Sequence, residues 1–396
     1  MSEFVVTARW LFPVAQPPLE NGLLVIDGEH IAGVFPKGTR KADLDLGNAA
    51  ILPGLVNAHT HLDLTGMRGL APPSPDFVGW LKQVIAFRRQ RTPTQVASDI
   101  CAGIAESLRS GTTLLGDISG SVESWLALAE APLRSVVFRE MIGLTKRRAA
   151  EAVLAFRTWR EAFPDRSNCR AGLSPHAPYS VRFSLFLYAA TSGVPVSVHL
   201  AESKAEMDLL LGRQGPFIEF LEELGAWDAE GLSDGPDHLL QTMNGMNPVL
   251  FVHCNYLWPS ISFPSNGSVV YCPRTHAAFQ HPPHPFREFL ARGIRVALGT
   301  DSLASNPDLS ILSEMRYLRE LYPDLSGDLI LRMGTLSGAE ALGWADDCGS
   351  LESVKSADFL ALPLADYELE DAHDLWLKSE KNISQLWIRG SDVKLD

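Results

Sequence analysis

The chain has few cysteines: five in 396 residues, at 101, 169, 254, 272 and 348, with no C-x-x-C pair. Odd in number and scattered, they do not suggest a disulfide framework and read as reduced, mostly buried thiols in a cytoplasmic protein. No apolar run is long enough to span a bilayer. The start, Met1-Ser2-Glu3-Phe4, lacks the basic and apolar regions of a signal peptide. A basic block is also missing: 34 Lys and Arg against 47 Asp and Glu leave a formal charge of −13. This balance argues against nucleic acid or an anionic membrane as partner and leaves a small-molecule substrate open. No G-x-G-x-x-G follows an early strand and no G-x-x-x-x-G-K-[ST] occurs, so a nucleotide-phosphate cradle is excluded. There are no obvious repeats or low-complexity tracts.

What is present is an ordinary globular composition, 46% hydrophobic and 20% charged, in a length that suits one large domain or a large one with a small one. Residues 3–50 alternate like short strands: Phe4-Val5-Val6-Thr7-Ala8, then 22–28, then 30–34, with Asp27-Gly28 as a hairpin signal. The far end repeats the style at 357–362 and 383–390. Neither end could bury a core alone, so residues 1–50 and 350–396 are expected to form one small β-sandwich domain. Between them lie eight apolar, strand-like runs, near 51–59, 112–118, 134–142, 169–174, 194–200, 248–254, 267–272 and 294–300. They alternate with helix-like segments at 94–110, 123–131, 146–162, 181–192, 204–224, 285–292 and 309–321. This alternation favours a parallel (β/α)8 TIM-like barrel over 51–349, with an open doubly wound sheet as competitor.

Polar residues then fall where barrel enzymes place their chemistry, at the C-terminal ends of strands. Strand one ends in His59-Thr60-His61, strand four runs into Pro175-His176, and strand five gives His199-Leu200-Ala201-Glu202. Strand six gives His253-Cys254, strand seven Pro273-Arg274-Thr275-His276, and strand eight Gly299-Thr300-Asp301-Ser302. Singly, each has a plain reading: a core histidine with a satisfied ring, a helix-capping Asp301, a first-turn Glu202. Jointly, His59, His61, His199 and Asp301 suit one divalent ion, Zn²⁺ first and Fe²⁺ or Mn²⁺ as alternatives. The segment 62–93 carries Phe77, Trp80 and Phe87 among several arginines. It reads either as an aromatic lid over a planar substrate or as the apolar face of a loop helix.

The motifs Pro53-Gly54-Leu55-Val56-Asn57-Ala58-His59-Thr60-His61, His199-Leu200-Ala201-Glu202, Val252-His253-Cys254 and Gly299-Thr300-Asp301-Ser302 resemble the amidohydrolase superfamily, in its branch of mononuclear deaminases and chlorohydrolases. Gly349-Ser350-Leu351 with Ala357-Asp358 echoes a recurrent pattern of that family's flanking domain. Strand four carries no lysine of the binuclear members, which favours a single metal. The resemblance implies a hydrolytic deaminase in which Asp301 takes a proton from water, His253 holds the water, and Glu202 carries a proton to the ring. A homodimer is a common state of the family. The runs after strands four and seven look closest to deaminases of 5′-modified adenosines, among them the aminodeoxyfutalosine deaminases of menaquinone biosynthesis. His176, Trp80, Arg274 and Arg68 are the expected substrate contacts, the arginines as forks for a substrate carboxylate. Guanine or cytosine deamination, triazine dechlorination and a non-catalytic scaffold are the alternatives.

Overall fold

The computed structural model describes residues 3–366, 369 and 371–395; the rest of the expected terminal β-unit lies outside the described residues. The apolar run at 51–59 divides at Gly54. A Cβ there would run into the Thr113 side chain, so the chain can pass only as glycine. Ala49–Pro53 pairs antiparallel with Phe359–Pro363 in a six-stranded sheet that both termini build. Leu55–Thr60 starts the barrel instead.

We label the barrel strands β1 (Leu55–Thr60), β2 (Thr112–Ser119), β3 (Arg134–Met141), β4 (Cys169–Pro175), β5 (Val196–Leu200), β6 (Val249–His253), β7 (Gly267–Tyr271) and β8 (Arg295–Leu298). They neighbour one another in that order in one sheet, parallel, as in Val196↔Val249 and Val269↔Val296. Strands covered on both faces read as continuous apolar runs rather than alternating ones, and β2, β5, β6 and β7 are buried at every position. Between β8 and β1 the ladder thins to a bridge, Thr60↔Asp301, with the Thr300 and Asp301 N–H groups both donating to His59 O at 3.1 Å. Gly299 permits that approach, since its Cβ would sit 3.0 Å from the His59 Cβ. The seam thus brings the first and last motifs together.

The helical periodicities hold at Pro93–Arg109, Lys146–Ala162 and Ile311–Leu321. The long segment 204–224 is two helices, α2 (Lys204–Gly212) and Pro216–Glu223, broken at Gly215, whose φ of 106° only glycine tolerates readily. The segment 62–93 holds a 3-10 turn, Leu62–Met67, and helix α1 (Phe77–Gln90), capped by Asp76 accepting from Gly79 N at 2.9 Å. The segment 228–248, ahead of β6, contains a helix at Pro236–Thr242.

By contacts the chain forms two compact units, residues 1–58, 105–115 and 310–396, and residues 59–104 and 116–309. The first contains the six-stranded sheet and a four-stranded one from the N-terminal residues, in which Leu23–Asp27 and His30–Phe35 form the hairpin signalled by Asp27-Gly28. Its core includes Val6, Ile51, Phe359 and Trp387, the last two stacked at 4.4 Å. The second unit holds the polar strand ends and an apolar cluster around Phe77, Trp80, Tyr179 and Phe217. Among the described residues no helix is long and apolar enough to cross a membrane.

Candidate active site

Four non-glycine residues at the ends of β5, β6 and β8 hold left-handed backbone: Ala201 (φ 51°), His253 (φ 70°), Cys254 (φ 56°) and Asp301 (φ 58°). L-residues avoid this region, and structures keep it where geometry is over-determined by function. The turns re-aim side chains from the barrel wall into its mouth.

There His59, His199, His253 and Asp301 each offer a ligand atom, all within 4.8 Å of one another, and all four residues are buried. His61 joins them: its Nε2 lies 3.3 Å from His199 Nε2 and 3.5 Å from Asp301 Oδ1, while His59 Nε2 lies 3.4 Å from the same oxygen. Donors of a tetrahedral ion with bonds of about 2.0–2.1 Å stand about 3.3 Å apart, so these spacings fit a small divalent cation. The chemistry fits as well. His199 Nδ1 faces the His176 carbonyl oxygen at 3.1 Å, so Nδ1 carries the proton and the Nε2 lone pair turns inward. Burial first, and then mutual repulsion among the imidazoles, keeps His61 and His199 well below the usual histidine range. They are neutral and able to ligate. Asp301 is held ionised below its ordinary value, with the His59 and His253 imidazoles and the Ser305 hydroxyl outweighing burial. Ser305 Oγ donates to Asp301 Oδ2 at 2.6 Å, leaving Oδ1 for the centre.

Glu202, buried, lies with Oε1 3.4 Å from His253 Nε2. Burial, then the charges of Asp301 and Glu206, lift its carboxyl well above the ordinary range. A carboxyl held below its ordinary value and another raised well above it therefore share one cavity. Its wall includes Leu64, Phe77, Trp80, Val84 and Tyr179, with His61, His176, His199, Glu202, Asp301 and Arg88 supplying polar groups.

Of the expected substrate contacts, His176 and Trp80 line this cavity. His176 Nδ1 pairs with Ser180 Oγ at 3.1 Å. Trp80 donates Nε1–H to Ala71 O at 3.1 Å and packs edge-on against Phe279, so the loop helix is both packed face and cavity wall. The arginines are placed differently. Arg274 forks onto both carboxylate oxygens of Asp308, at 2.8 and 2.6 Å, and Arg68 donates to Pro307 O; neither lines the cavity. A guanidinium already forked on a carboxylate has to break that pair before it can clamp another.

Residues not singled out in the sequence complete the site. Arg88 of α1 reaches Asp63 Oδ2 at 2.9 Å, Glu140 Oε1 at 3.5 Å and His61 Nδ1 at 3.4 Å. Asp117 Oδ1 accepts from Leu62 N at 2.9 Å and steadies the turn after His61. His284 Nε2 donates to His253 O at 2.6 Å beneath the left-handed His253. Asp117 in β2 and Glu140 at the end of β3 carry the same signal as the recognised motifs, an acid in an apolar strand.

The model of the amidohydrolase family matches residues 50–393. A 5-methylthioadenosine/S-adenosylhomocysteine deaminase of Moorella thermoacetica is 30% identical over 424 residues, spanning 99% of this chain and 92% of the relative. An aminodeoxyfutalosine deaminase of Deinococcus radiodurans is 30% identical over 83% of this chain and 82% of its own. In fold, the crystal structure of Helicobacter pylori aminofutalosine deaminase with methylthio-coformycin superposes with a TM-score of 0.88 at 24% identity, covering 99% of this chain and 100% of that one.

Proposed function

We propose that this chain, which belongs to the amidohydrolase family, is a metal-dependent hydrolase that releases ammonia from the purine of a 5′-modified adenosine. One observation carries the reading. A buried carboxyl that holds its proton, Glu202, opens into the same cavity as an ionised Asp301 and a cluster of neutral imidazoles. Hydrolysis of an amidine carbon needs that pair, because the carbon is a poor electrophile until the adjacent ring nitrogen is protonated. The deaminase names of both curated relatives support the same reaction.

His59, His61, His199 and Asp301 would hold the ion, which we take to be Zn²⁺ for its three nitrogens and one oxygen; Fe²⁺ and Mn²⁺ are the alternatives. Bound there, a divalent ion makes a water acidic enough to serve as nucleophile near neutral pH. Asp301 would take up the proton that such a water releases, His253 would orient the water through Nε2, and Glu202 would deliver its own proton to the ring nitrogen beside the attacked carbon. His176 and Trp80 bound the purine. The apolar wall at Leu64, Phe77 and Val84 excludes bulk water, which strengthens each of these charges. In this reading the barrel strands from Leu55–Thr60 to Arg295–Leu298 carry the catalysis, and the sheets built by the two ends of the chain form a separate β-domain. The five free cysteines, four of them buried, support a cytoplasmic setting, and a homodimer is the assembly to test.

The test is ammonia release by zinc-loaded protein from 5′-methylthioadenosine, S-adenosylhomocysteine, aminodeoxyfutalosine, adenosine, guanine, cytosine and an aminotriazine. A 5′-modified adenosine should lead by orders of magnitude in kcat/KM. A lead by guanine, cytosine or the triazine, or silence across the panel, overturns the proposal.

A further inference from the structure

Glu206 has a fully buried carboxyl, pushed up to about 7 by burial against the backbone N–H groups that it accepts, and it has no part in the chemistry above. It stands in the first turn of α2, three residues after Ser203, whose side chain caps that helix by accepting from Glu206 N at 3.2 Å. Ser203-Lys204-Ala205-Glu206 thus has the form of a capping box, in which the glutamate would reach back to the N–H of the cap residue itself. The glutamate reaches further than that. Its Oε1 accepts from Ala201 N at 2.8 Å and its Oε2 from Glu202 N at 2.9 Å. Two consecutive N–H groups converge on one anion because Ala201 is left-handed, the arrangement that makes a backbone nest. The carbonyls of the same two residues are tied as well, Ala201 O by Tyr256 N at 3.0 Å and Glu202 O by Asn255 Nδ2 at 2.9 Å.

We propose that Glu206 is the positioning residue of the proton donor: its carboxylate fixes the Ala201–Glu202 turn in the left-handed form that aims the Glu202 carboxyl into the cavity beside His253. This rests on the reading of Glu202 as the acid. Burying a carboxylate is costly, and a cap needs only one acceptor. The geometry spends both oxygens on the two amides that set the direction of one side chain.

The two roles are separable because capping boxes accept Gln as well as Glu, whereas the Gln carboxamide has one acceptor and would turn an NH₂ against the second N–H. In Glu206→Gln, kcat on the best substrate of the panel should fall about 10- to 100-fold, the scale of a misplaced catalytic group. KM and bound metal should each stay within about twofold. Glu206→Asp, which keeps the charge but falls a methylene short, should lose kcat in the same way. In the unmodified protein the Ala201 and Glu202 amide hydrogens should exchange as slowly as those inside β5 and β6, and at least about tenfold faster in Glu206→Gln. Folded, metal-loaded Glu206→Gln with wild-type kcat, a loss that appears in KM or metal content instead, or rapid exchange of both amides in the unmodified protein overturns the proposal. Glu202→Gln serves as the control. If it retains full turnover, the acid assignment itself fails; if it is inactive while Glu206→Gln is not, only the positioning role fails.

Discussion

Replacing Asp117 by Asn should stabilise the protein, and increasingly so as the pH rises from 4 to 7. Asp117 is fully buried in β2, and burial pushes its carboxyl up from 3.8 to about 7, against the lowering effect of the Leu62 N–H that it accepts. In the unfolded chain it titrates near its ordinary value of about 3.9. Because the folded value is the raised one, the protonated carboxyl contributes stability that is fully present below about pH 4. That contribution is lost as pH rises through about 7. The rise corresponds to about 4 kcal/mol in total, at about 1.4 kcal/mol per pH unit between those limits. Asn keeps a carbonyl oxygen for Leu62 N and has no proton to lose. Urea unfolding of both metal-free proteins at pH 5, 6, 7 and 8, compared as a difference, cancels every other titrating group. The difference should grow by about 1–1.4 kcal/mol per unit up to pH 7 and level off beyond. A difference independent of pH would refute the buried, neutral carboxyl and with it the account of how the turn after His61 is held.

Other expectations concern activity. Glu202→Gln should lower kcat by about 10²- to 10⁴-fold, the usual worth of a general acid, while plasma emission analysis finds the same metal content as in the unmodified protein; loss of metal would make Glu202 a ligand instead. Chelation should abolish turnover and lower the unfolding temperature, with free Zn²⁺ at 100 times its Kd restoring about 2.7 kcal/mol; unchanged melting on chelation would leave the five converging side chains without a cation. Arg274→Ala should reduce kcat/KM for carboxylated and uncharged adenosines by equal factors, because its fork braces Asp308 in the loop that follows Asp301. A rise in KM confined to carboxylated substrates would show instead that the fork opens to bind them.

The barrel was legible because its strands are covered on both faces. Continuous apolar runs such as Val249–His253 cannot alternate, and their spacing by helical segments leaves few topologies. What composition could not show was where one run serves two sheets. Residues 51–59 read as a single strand, yet the chain divides there between two sheets, passing Thr113 at Gly54, where a side chain would clash. Similarly, 204–224 keeps helical periodicity across Gly215, and the break lies in a backbone angle rather than in the hydrophobic pattern.

In the site, histidines were legible and their supports were not, for a physical reason. A His-x-His or His-x-x-Glu at a strand end is a local spacing, readable along one segment. Arg88, Glu140 and Asp63 meet from α1, β3 and the 3-10 turn, and nothing in any one segment marks the others. The arginines that did stand out, Arg274 and Arg68, prominent beside motifs, turn to Asp308 and Pro307 O. Charge in a sequence declares a donor without its acceptor, and here the acceptors, a carboxylate for Arg274 and a carbonyl oxygen for Arg68, lie outside the cavity lining. The left-handed turns follow the same logic. Ala201, His253, Cys254 and Asp301 are not residues that favour positive φ as glycine does, so their strain has to be held by partners from elsewhere: Glu206 for Ala201, His284 for His253, the His59 carbonyl oxygen for Asp301. Ala201, His253 and Asp301 aim or carry side chains of the proposed chemistry, so the buried acceptors and donors that hold their backbone are part of the site although no motif reveals them.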